Sequence, residues 1–175
     1  MRVSRLGAEG PLVSVVGLGG NNFGSRLDAL GAAAVVHAAL DAGITLFDTA
    51  DMYGAYGGHG QAGDGERFLG AALAGQRDHV VLATKFGRAM GSADDDSRGP
   101  RGGRSYIRYA VRQSLRRLGT DYIDLYQYHE FDGVTAVEET LGALHELIDE
   151  GLVRFAGCSD LAAGQLKGFV STQAR

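Results

Sequence analysis

The sequence of this 175-residue protein predicts an α/β fold of the (β/α)8 barrel type, with about five βα units after an N-terminal β-hairpin. Four short runs rich in β-branched and aromatic residues, at 44–48, 79–85, 122–129 and 152–159, are predicted strands. Their near-continuous apolarity is typical of strands covered on both faces. Helical patterns lie between them. This alternation implies a parallel sheet with right-handed crossovers.

The start of the chain predicts a short hairpin followed by a first parallel strand. "MRVSRLG" and "PLVSVVGLGG" alternate apolar and polar residues on either side of turn-forming residues at 8–11. The hairpin therefore precedes the repeating units, and the strand that ends near Gly20 opens the first of them.

Five helices are predicted from apolar spacing, at 28–42, 64–75, 105–118, 135–150 and 160–170. In the third helix, Ile107, Val111 and Leu115 fall on one face, and Gly119 is a plausible C-terminal stop. In the fourth, Thr135 and Glu138 have the spacing of a capping box.

Two parallel architectures fit this order, a barrel and a doubly wound open sheet. A dinucleotide-binding open sheet requires a G-x-G-x-x-G motif at the opening of the first helix. The segment "GLGGNNFG" provides Gly17 and Gly19, but Asn22 occupies the position of the third glycine. The barrel is therefore the preferred prediction.

The composition excludes several classes of function. A net charge of -4 argues against a general nucleic-acid binder. The single cysteine, Cys158, precludes an internal disulfide and fits a reducing, cytoplasmic compartment. No apolar run approaches the roughly 20 residues needed to span a membrane. No metal site is expected.

Ionisable residues close three of the predicted strands. Asp48 follows "ITLF", Lys85 follows "VVLAT" and His129 follows "IDLYQY", while Tyr53 lies in the loop after Asp48. In a barrel, the chemistry gathers at the carboxyl ends of the strands. We therefore expect these four side chains to meet at one face.

Together these residue types suit the reduction of a carbonyl group. A free phenol has a pKa of about 10, and a nearby lysine cation stabilises the phenolate. Asp48 could keep Lys85 charged, Lys85 could make Tyr53 a general acid, and His129 could orient the carbonyl oxygen. No side chain supplies hydride, so a nicotinamide cofactor is implied.

Each residue taken alone also has an ordinary structural interpretation. A strand-end lysine is often part of a structural ion pair, a loop tyrosine often packs, a histidine is often merely hydrogen-bonded, and Asp48 could cap a turn. The functional hypothesis rests on the joint position of the four residues.

Several segments together resemble the aldo-keto reductase family over essentially the whole chain. They are "GLGGNNFG", "AGITLFDTADMYG", "ATKFG", "LRRLGTDYIDLYQYH" and "EGLVRFAGCSD". The resemblance implies a barrel that binds NADPH, with NADH as the alternative, and that reduces a small carbonyl substrate. It implies a catalytic tetrad at Asp48, Tyr53, Lys85 and His129.

The resemblance also implies a set of cofactor-binding residues, namely Gly20, Asn21, Asp48, Ser159 and Asp160. Ser159 and Asp160 fall on the family's Ser-Asn pair, which holds the nicotinamide carboxamide. The aspartate is a departure from the family, because an ionised carboxylate accepts hydrogen bonds but does not donate them.

The number of repeating units is a second departure from the family. Relatives have about eight βα units, whereas residues 1–175 give five, so we expect a partial barrel that ends before the sixth strand. An open sheet leaves an unpaired edge, so self-association through that edge is expected. The alternative functions are a non-catalytic NADP(H)-binding or regulatory member, or an inactive fragment of a reductase.

Overall fold

The computed structural model describes residues 1–55, 60–91 and 96–173, which form seven strands and five α-helices. The strands are β1 (Val3–Arg5), β2 (Leu12–Ser14), β3 (Gly17–Gly19), β4 (Leu46–Asp48), β5 (Val81–Phe86), β6 (Ile123–Tyr128) and β7 (Val153–Cys158). The helices are α1 (Ala29–Asp41), α2 (Asp64–Ala72), α3 (Arg104–Leu118), α4 (Val137–Asp149) and α5 (Ala163–Gln173). The predicted order of strand and helix is confirmed.

The main sheet contains five parallel strands in the order β3-β4-β5-β6-β7. Each strand therefore pairs with the next one along the chain. A doubly wound sheet would reverse its strand order at a switch point. The sequential order is that of a barrel wall, which confirms the choice between the two architectures.

The predicted hairpin is also present, as a separate two-stranded antiparallel sheet. Strand β1 pairs with β2, and Val3 lies opposite Ser14. Ser14 connects this hairpin to the main sheet, because its hydroxyl accepts a hydrogen bond from the backbone N–H of Thr45 at 2.9 Å.

The five helices pack on one another in sequence, α1 on α2 and so on to α5. This arrangement places them along one side of the sheet, as expected for consecutive right-handed crossovers. Helix α3 ends as predicted, because Gly119 adopts a left-handed conformation with φ of 65°. Such a conformation is strained for residues with a Cβ atom.

The burial of the strands changes across the sheet. All six residues of β5 are buried, whereas β7 has only Val153 fully buried and four half-buried residues after Arg154. Strand β5 therefore lies at the centre of the hydrophobic core, and β7 lies at its margin. This margin is the edge through which self-association was predicted, and that association stays a prediction.

The capping box predicted for α4 is wrong. The helix begins at Val137 with Ala136 as its N-cap, and no side chain caps it. The Thr135 hydroxyl donates instead to Asp132 Oδ2 at 2.6 Å. Asp132, in the preceding loop, accepts this hydrogen bond, whereas a capping box would require the Thr135 oxygen to accept a hydrogen bond from a backbone N–H of the helix.

Among residues 1–55, 60–91 and 96–173, no helix combines the length and apolarity that crossing a membrane requires.

Helices α2 and α3 approach each other closely at Gly70, which gives a test of the packing. A Cβ atom at Gly70 would collide with the backbone oxygen of Leu118, whereas one at Gly142 in α4 would meet only Arg104 Nη2, at 3.7 Å. We expect Gly70→Ala to lower the free energy of unfolding by about 1–3 kcal/mol through overpacking. The matched control Gly142→Ala should raise it by about 0.5–1 kcal/mol, because alanine favours a helix. Urea unfolding of both variants measures the difference, and equal effects would contradict the packing described.

Candidate active site

The candidate site lies along the carboxyl ends of the parallel strands. Backbone hydrogen bonds continue there beyond the strands themselves. The N–H of Gly20 donates to Asp48 O at 2.7 Å, and the N–H of His129 donates to Phe86 O at 2.8 Å. The N–H of Ser159 donates to Tyr128 O at 2.8 Å. The backbones that carry the predicted site residues are therefore fixed by the sheet rather than by free loops.

The Lys85 side chain is the centre of the site. Lys85 is only 6% exposed, and its ammonium group donates to Asp48 Oδ2 and to Thr49 O, the latter at 2.9 Å. Its third neighbour is the hydroxyl of Tyr53, 3.4 Å from Nζ. A buried ammonium group is costly unless it is paired and hydrogen-bonded. Asp48 supplies the countercharge, and Tyr53 lies within the field of the cation.

Gln127 is a site neighbour that the sequence reasoning missed. Its Nε2 donates to Asp48 Oδ1 at 3.1 Å, so both oxygens of this carboxylate are engaged. Gln127 lies directly beside Lys85 in the β5–β6 register. The available signal was an amide inside the otherwise mostly apolar strand "IDLYQY", on the same face of the sheet as Lys85.

His129 lies beside Tyr53. Their ring centroids are 5.9 Å apart and the ring planes make an angle of 80°, so the edge of one ring faces the other. His129 is 3% exposed, and its buried Nδ1 makes no hydrogen bond within residues 1–55, 60–91 and 96–173. The structure thus brings together the four residues of the predicted tetrad.

The environment of His129 keeps its imidazole neutral. Burial, together with the positive charges of Lys85 and Arg88, lowers the pKa of His129 to about 4 from 6.5, although Asp160 acts in the opposite direction. At neutral pH the ring therefore carries one proton, which it can donate in a hydrogen bond without serving as a strong acid.

The loop that follows His129 is held by Asp132. The Asp132 carboxylate accepts hydrogen bonds from the backbone N–H groups of Gly102 at 2.7 Å, Val134 at 3.0 Å and Thr135 at 2.9 Å. Burial alone would raise the pKa of Asp132, but the hydrogen bonds from Thr135, Gly102 and Val134 outweigh it and lower the pKa. The ionised carboxylate thus links this loop to the start of α3.

A buried ion pair supports the site from the other face of β5. Glu66 is fully buried and accepts hydrogen bonds from Thr84 Oγ1 and Arg117 Nε, both at 2.6 Å. Thr84 precedes Lys85, so the two side chains point to opposite faces of the strand. The residue before Glu66, Gly65, donates its N–H to Tyr53 O at 3.0 Å. Helix α2 therefore connects the Tyr53 loop to the strand that carries Lys85.

The remaining predicted residues lie on the rim of the same site. Gly20 is buried beneath the rim and Asn21 is exposed, both directly after β3. Ser159 is half-buried and Asp160 exposed, both directly after β7. The Asp160 carboxylate is hydrogen-bonded, because its Oδ2 accepts from Arg88 Nη2 at 2.7 Å. Within the described ranges, with their gaps at 56–59, 92–95 and 174–175, no group of three or more residues could hold a metal ion.

This geometry provides a proton donor, a cation beside it and a neutral hydrogen-bonding ring at one end of the sheet. Such a set suits a reaction in which an oxygen gains negative charge and then a proton. A sequence profile described as the Aldo/keto reductase family matches residues 15–173. The chain belongs to the aldo/keto reductase family. Its membership supports an oxidoreductase function.

Two relatives illustrate the similarity. The chain is 36% identical over 174 residues to the uncharacterized oxidoreductase YqkF of Bacillus subtilis (strain 168), covering 97% of this chain and 52% of that protein. It is 35% identical to the solved holo form of the aldo-keto reductase AKR11C1 from Bacillus halodurans, with a TM-score of 0.85. That match covers 98% of this chain and 54% of the other. The chain thus spans about half the length of these relatives, and the structural match confirms the fold class.

The pKa of His129 predicts a pH dependence of stability. Because the folded-state pKa, about 4, is below the ordinary 6.5, the unfolded chain binds the proton first. His129 should therefore reduce the free energy of unfolding as the pH falls from about 6.5 to about 4. Urea unfolding at several pH values measures this loss. We expect His129→Gln to lose less unfolding free energy over this pH range than the wild type. The control His145→Gln, at an exposed position of α4, should lose as much as the wild type. An equal loss in all three proteins would contradict the environment described for His129.

Proposed function

We propose that the protein is an NAD(P)H-dependent oxidoreductase that reduces aldehydes or ketones to alcohols. The observation that supports this proposal most directly is the contact of Lys85 Nζ with Tyr53 Oη at 3.4 Å, beside the His129 ring. A buried cation at a phenol favours the phenolate that remains after proton donation. The family resemblance implies these three residues, together with Asp48, as the catalytic tetrad.

In the proposed reaction, the Tyr53 hydroxyl gives its proton to the carbonyl oxygen of the substrate. When bound, the nicotinamide cofactor supplies the hydride that reaches the carbonyl carbon. The electron pair of the C=O π bond would take the Tyr53 proton, which balances the hydride that a bound nicotinamide would supply. Lys85 stabilises the Tyr53 phenolate, and water returns the proton to it.

Asp48 and His129 have supporting roles in this proposal. Asp48 keeps the buried Lys85 charged and is itself oriented by Gln127. His129 donates a hydrogen bond to the carbonyl oxygen, which aligns it with the Tyr53 hydroxyl. Because burial and the nearby cations keep His129 neutral, Tyr53 is the proton donor and His129 the orienting group.

The proposed cofactor contacts are residues that flank the Lys85 centre. A Cβ atom added at Gly19 would meet nothing within 4 Å, so the chain leaves open space at the end of β3. On either side of the Lys85 centre lie the proposed cofactor contacts, Gly20, Asn21 and Asp48 toward β3 and Ser159 and Asp160 after β7. NADPH is the proposed cofactor, with NADH as the alternative. A cytoplasmic location is proposed from the single cysteine.

Substitution of the proposed acid tests the function. We expect Tyr53→Phe to lower kcat for NADPH oxidation with 4-nitrobenzaldehyde by about 10²–10⁴-fold, because the proton donor is lost. The matched control Tyr109→Phe, on α3 beside Arg98, should keep the wild-type rate. Cofactor binding is measured separately by the change in NADPH fluorescence.

The outcomes separate the alternatives for this chain. NADPH binding without turnover in the wild type would favour a non-catalytic binding or regulatory member. The absence of both binding and turnover would identify an inactive fragment of a reductase. Unchanged turnover in Tyr53→Phe would exclude Tyr53 as the acid.

A further inference from the structure

Arg88 connects the loops that follow three neighbouring strands. It lies two residues after β5, and its Nη2 is 2.7 Å from Asp160 Oδ2, directly after Ser159. Its Nε is 3.1 Å from Glu130 Oε2, directly after His129. One guanidinium group thus spans the loops after β5, β6 and β7 at the rim of the candidate site.

We propose that Arg88 is a positioning residue of the site, because its guanidinium group links the loops that begin directly after His129 and Ser159, at Glu130 and Asp160, to the end of β5. Its effect on catalysis rests on the function proposed above, whereas its effect on the two loops does not. Arg88 itself is not proposed to contact substrate or to transfer a proton.

The geometry requires arginine rather than any cation. A guanidinium group presents several N–H donors in a rigid plane, whereas a lysine ammonium is a point charge on a flexible chain. Arg88 donates a hydrogen bond to Asp160 from Nη2 and forms a salt bridge to Glu130, on a different loop, through Nε. A lysine at this position would keep the charge but would not hold both carboxylates at once in fixed directions.

The expected role is orientation rather than overall stability. The side chains of Glu130 and Asp160 are 57% and 56% exposed, and exposed ion pairs contribute little to the stability of a fold. Arg88 is 30% exposed and joins both carboxylates, which makes a small network. A network is the surface arrangement in which ion pairs contribute most.

Asp160 also has an uncommon backbone conformation, although aspartate adopts it more readily than most residues do. Asp160 has φ of 46°, the only positive φ of a non-glycine residue within the described parts of the chain. The left-handed region is sparsely populated by such residues and persists where surrounding contacts hold it. The Arg88 hydrogen bond is such a contact, and it acts on the residue that follows Ser159.

Arg88 also contributes to the charges that surround His129. Lys85 on β5 and Arg88 on the following loop oppose protonation of the imidazole, and Asp160 on the loop after β7 favours it. Tyr53, from the loop after β4, faces the ring with its edge-to-face aromatic contact. Loss of the Arg88 charge should therefore make His129 easier to protonate, and loss of the Asp160 charge should make it harder.

NMR spectroscopy of the ¹⁵N-labelled protein tests the inference without cofactor. It measures the titration of His129 and the hydrogen exchange of the Ser159 amide, in wild type, Arg88→Gln, Arg88→Lys and Asp160→Asn. Arg112→Gln, at an exposed position of α3, is the matched control. We expect Arg88→Gln to raise the pKa of His129 toward 6.5 and to speed exchange of the Ser159 amide by about tenfold through local opening.

The other variants separate charge from tethering. Arg88→Lys should restore the pKa of His129 but leave the fast exchange at Ser159, because only the charge is replaced. Asp160→Asn should lower the pKa of His129, and Arg112→Gln should change neither quantity. Wild-type behaviour of Arg88→Gln, or full recovery of both quantities in Arg88→Lys, would overturn the inference.

Kinetics then connect the tether to catalysis. If the wild type reduces 4-nitrobenzaldehyde, Arg88→Gln should raise KM for NADPH by about tenfold and lower kcat less, because ground-state positioning is impaired. An equal loss in Arg112→Gln would indicate a general structural effect and overturn the link. If the wild type neither binds NADPH nor turns over, the proposed function fails, while the NMR result still decides the role of Arg88.

Discussion

The candidate site is organised by the need to keep one ammonium charge in a buried position. Lys85 is almost inaccessible to water, and a charge so placed is tolerated only with a countercharge and hydrogen bonds. Asp48 and the Thr49 carbonyl meet most of this requirement. The ammonium group also lies 3.4 Å from the hydroxyl of Tyr53. Of these three neighbours of Lys85, Tyr53 is the one that can donate a proton. The chemistry proposed for the site thus follows from the way the charge is satisfied.

The parallel sheet fixes the relative positions of these side chains. Asp48, Lys85 and His129 come from three different strands, separated by 37 and 44 residues of sequence. Side chains on separate flexible loops would pay a large entropic cost to meet. Here the backbone ladder continues past the strand ends, and the Asp51 N–H still donates to Lys85 O at 3.1 Å. Because the ladder fixes the backbone, only side-chain rotamers remain to be ordered. The Tyr53 loop is held by the N–H of Gly65, which donates to Tyr53 O.

The sequence was sufficient to predict the strand order and the strand-end residues, because both depend on local pattern and on a general rule of parallel folds. It was not sufficient for contacts between side chains of distant segments. The Glu66–Arg117 pair joins α2 to α3, and nothing in either helix marks its partner. The Thr135 spacing also predicted a capping box, but the Thr135 hydroxyl bonds locally to Asp132, three residues earlier. Gln127 and Arg88 were also missed, because a polar residue near a strand end can be explained equally well as a residue that faces solvent.

One positive charge has two consequences at this rim. The ammonium of Lys85 stabilises negative charge on Tyr53 and, with burial and Arg88, disfavours positive charge on His129. The cation thereby separates the two groups, because it favours negative charge at the phenol oxygen and disfavours positive charge on the imidazole. Such separation assigns the roles of acid and orienting group. It also explains why the charge of Asp160 matters at this position, because a carboxylate near the imidazole weakens the separation unless a cation such as Arg88 compensates for it.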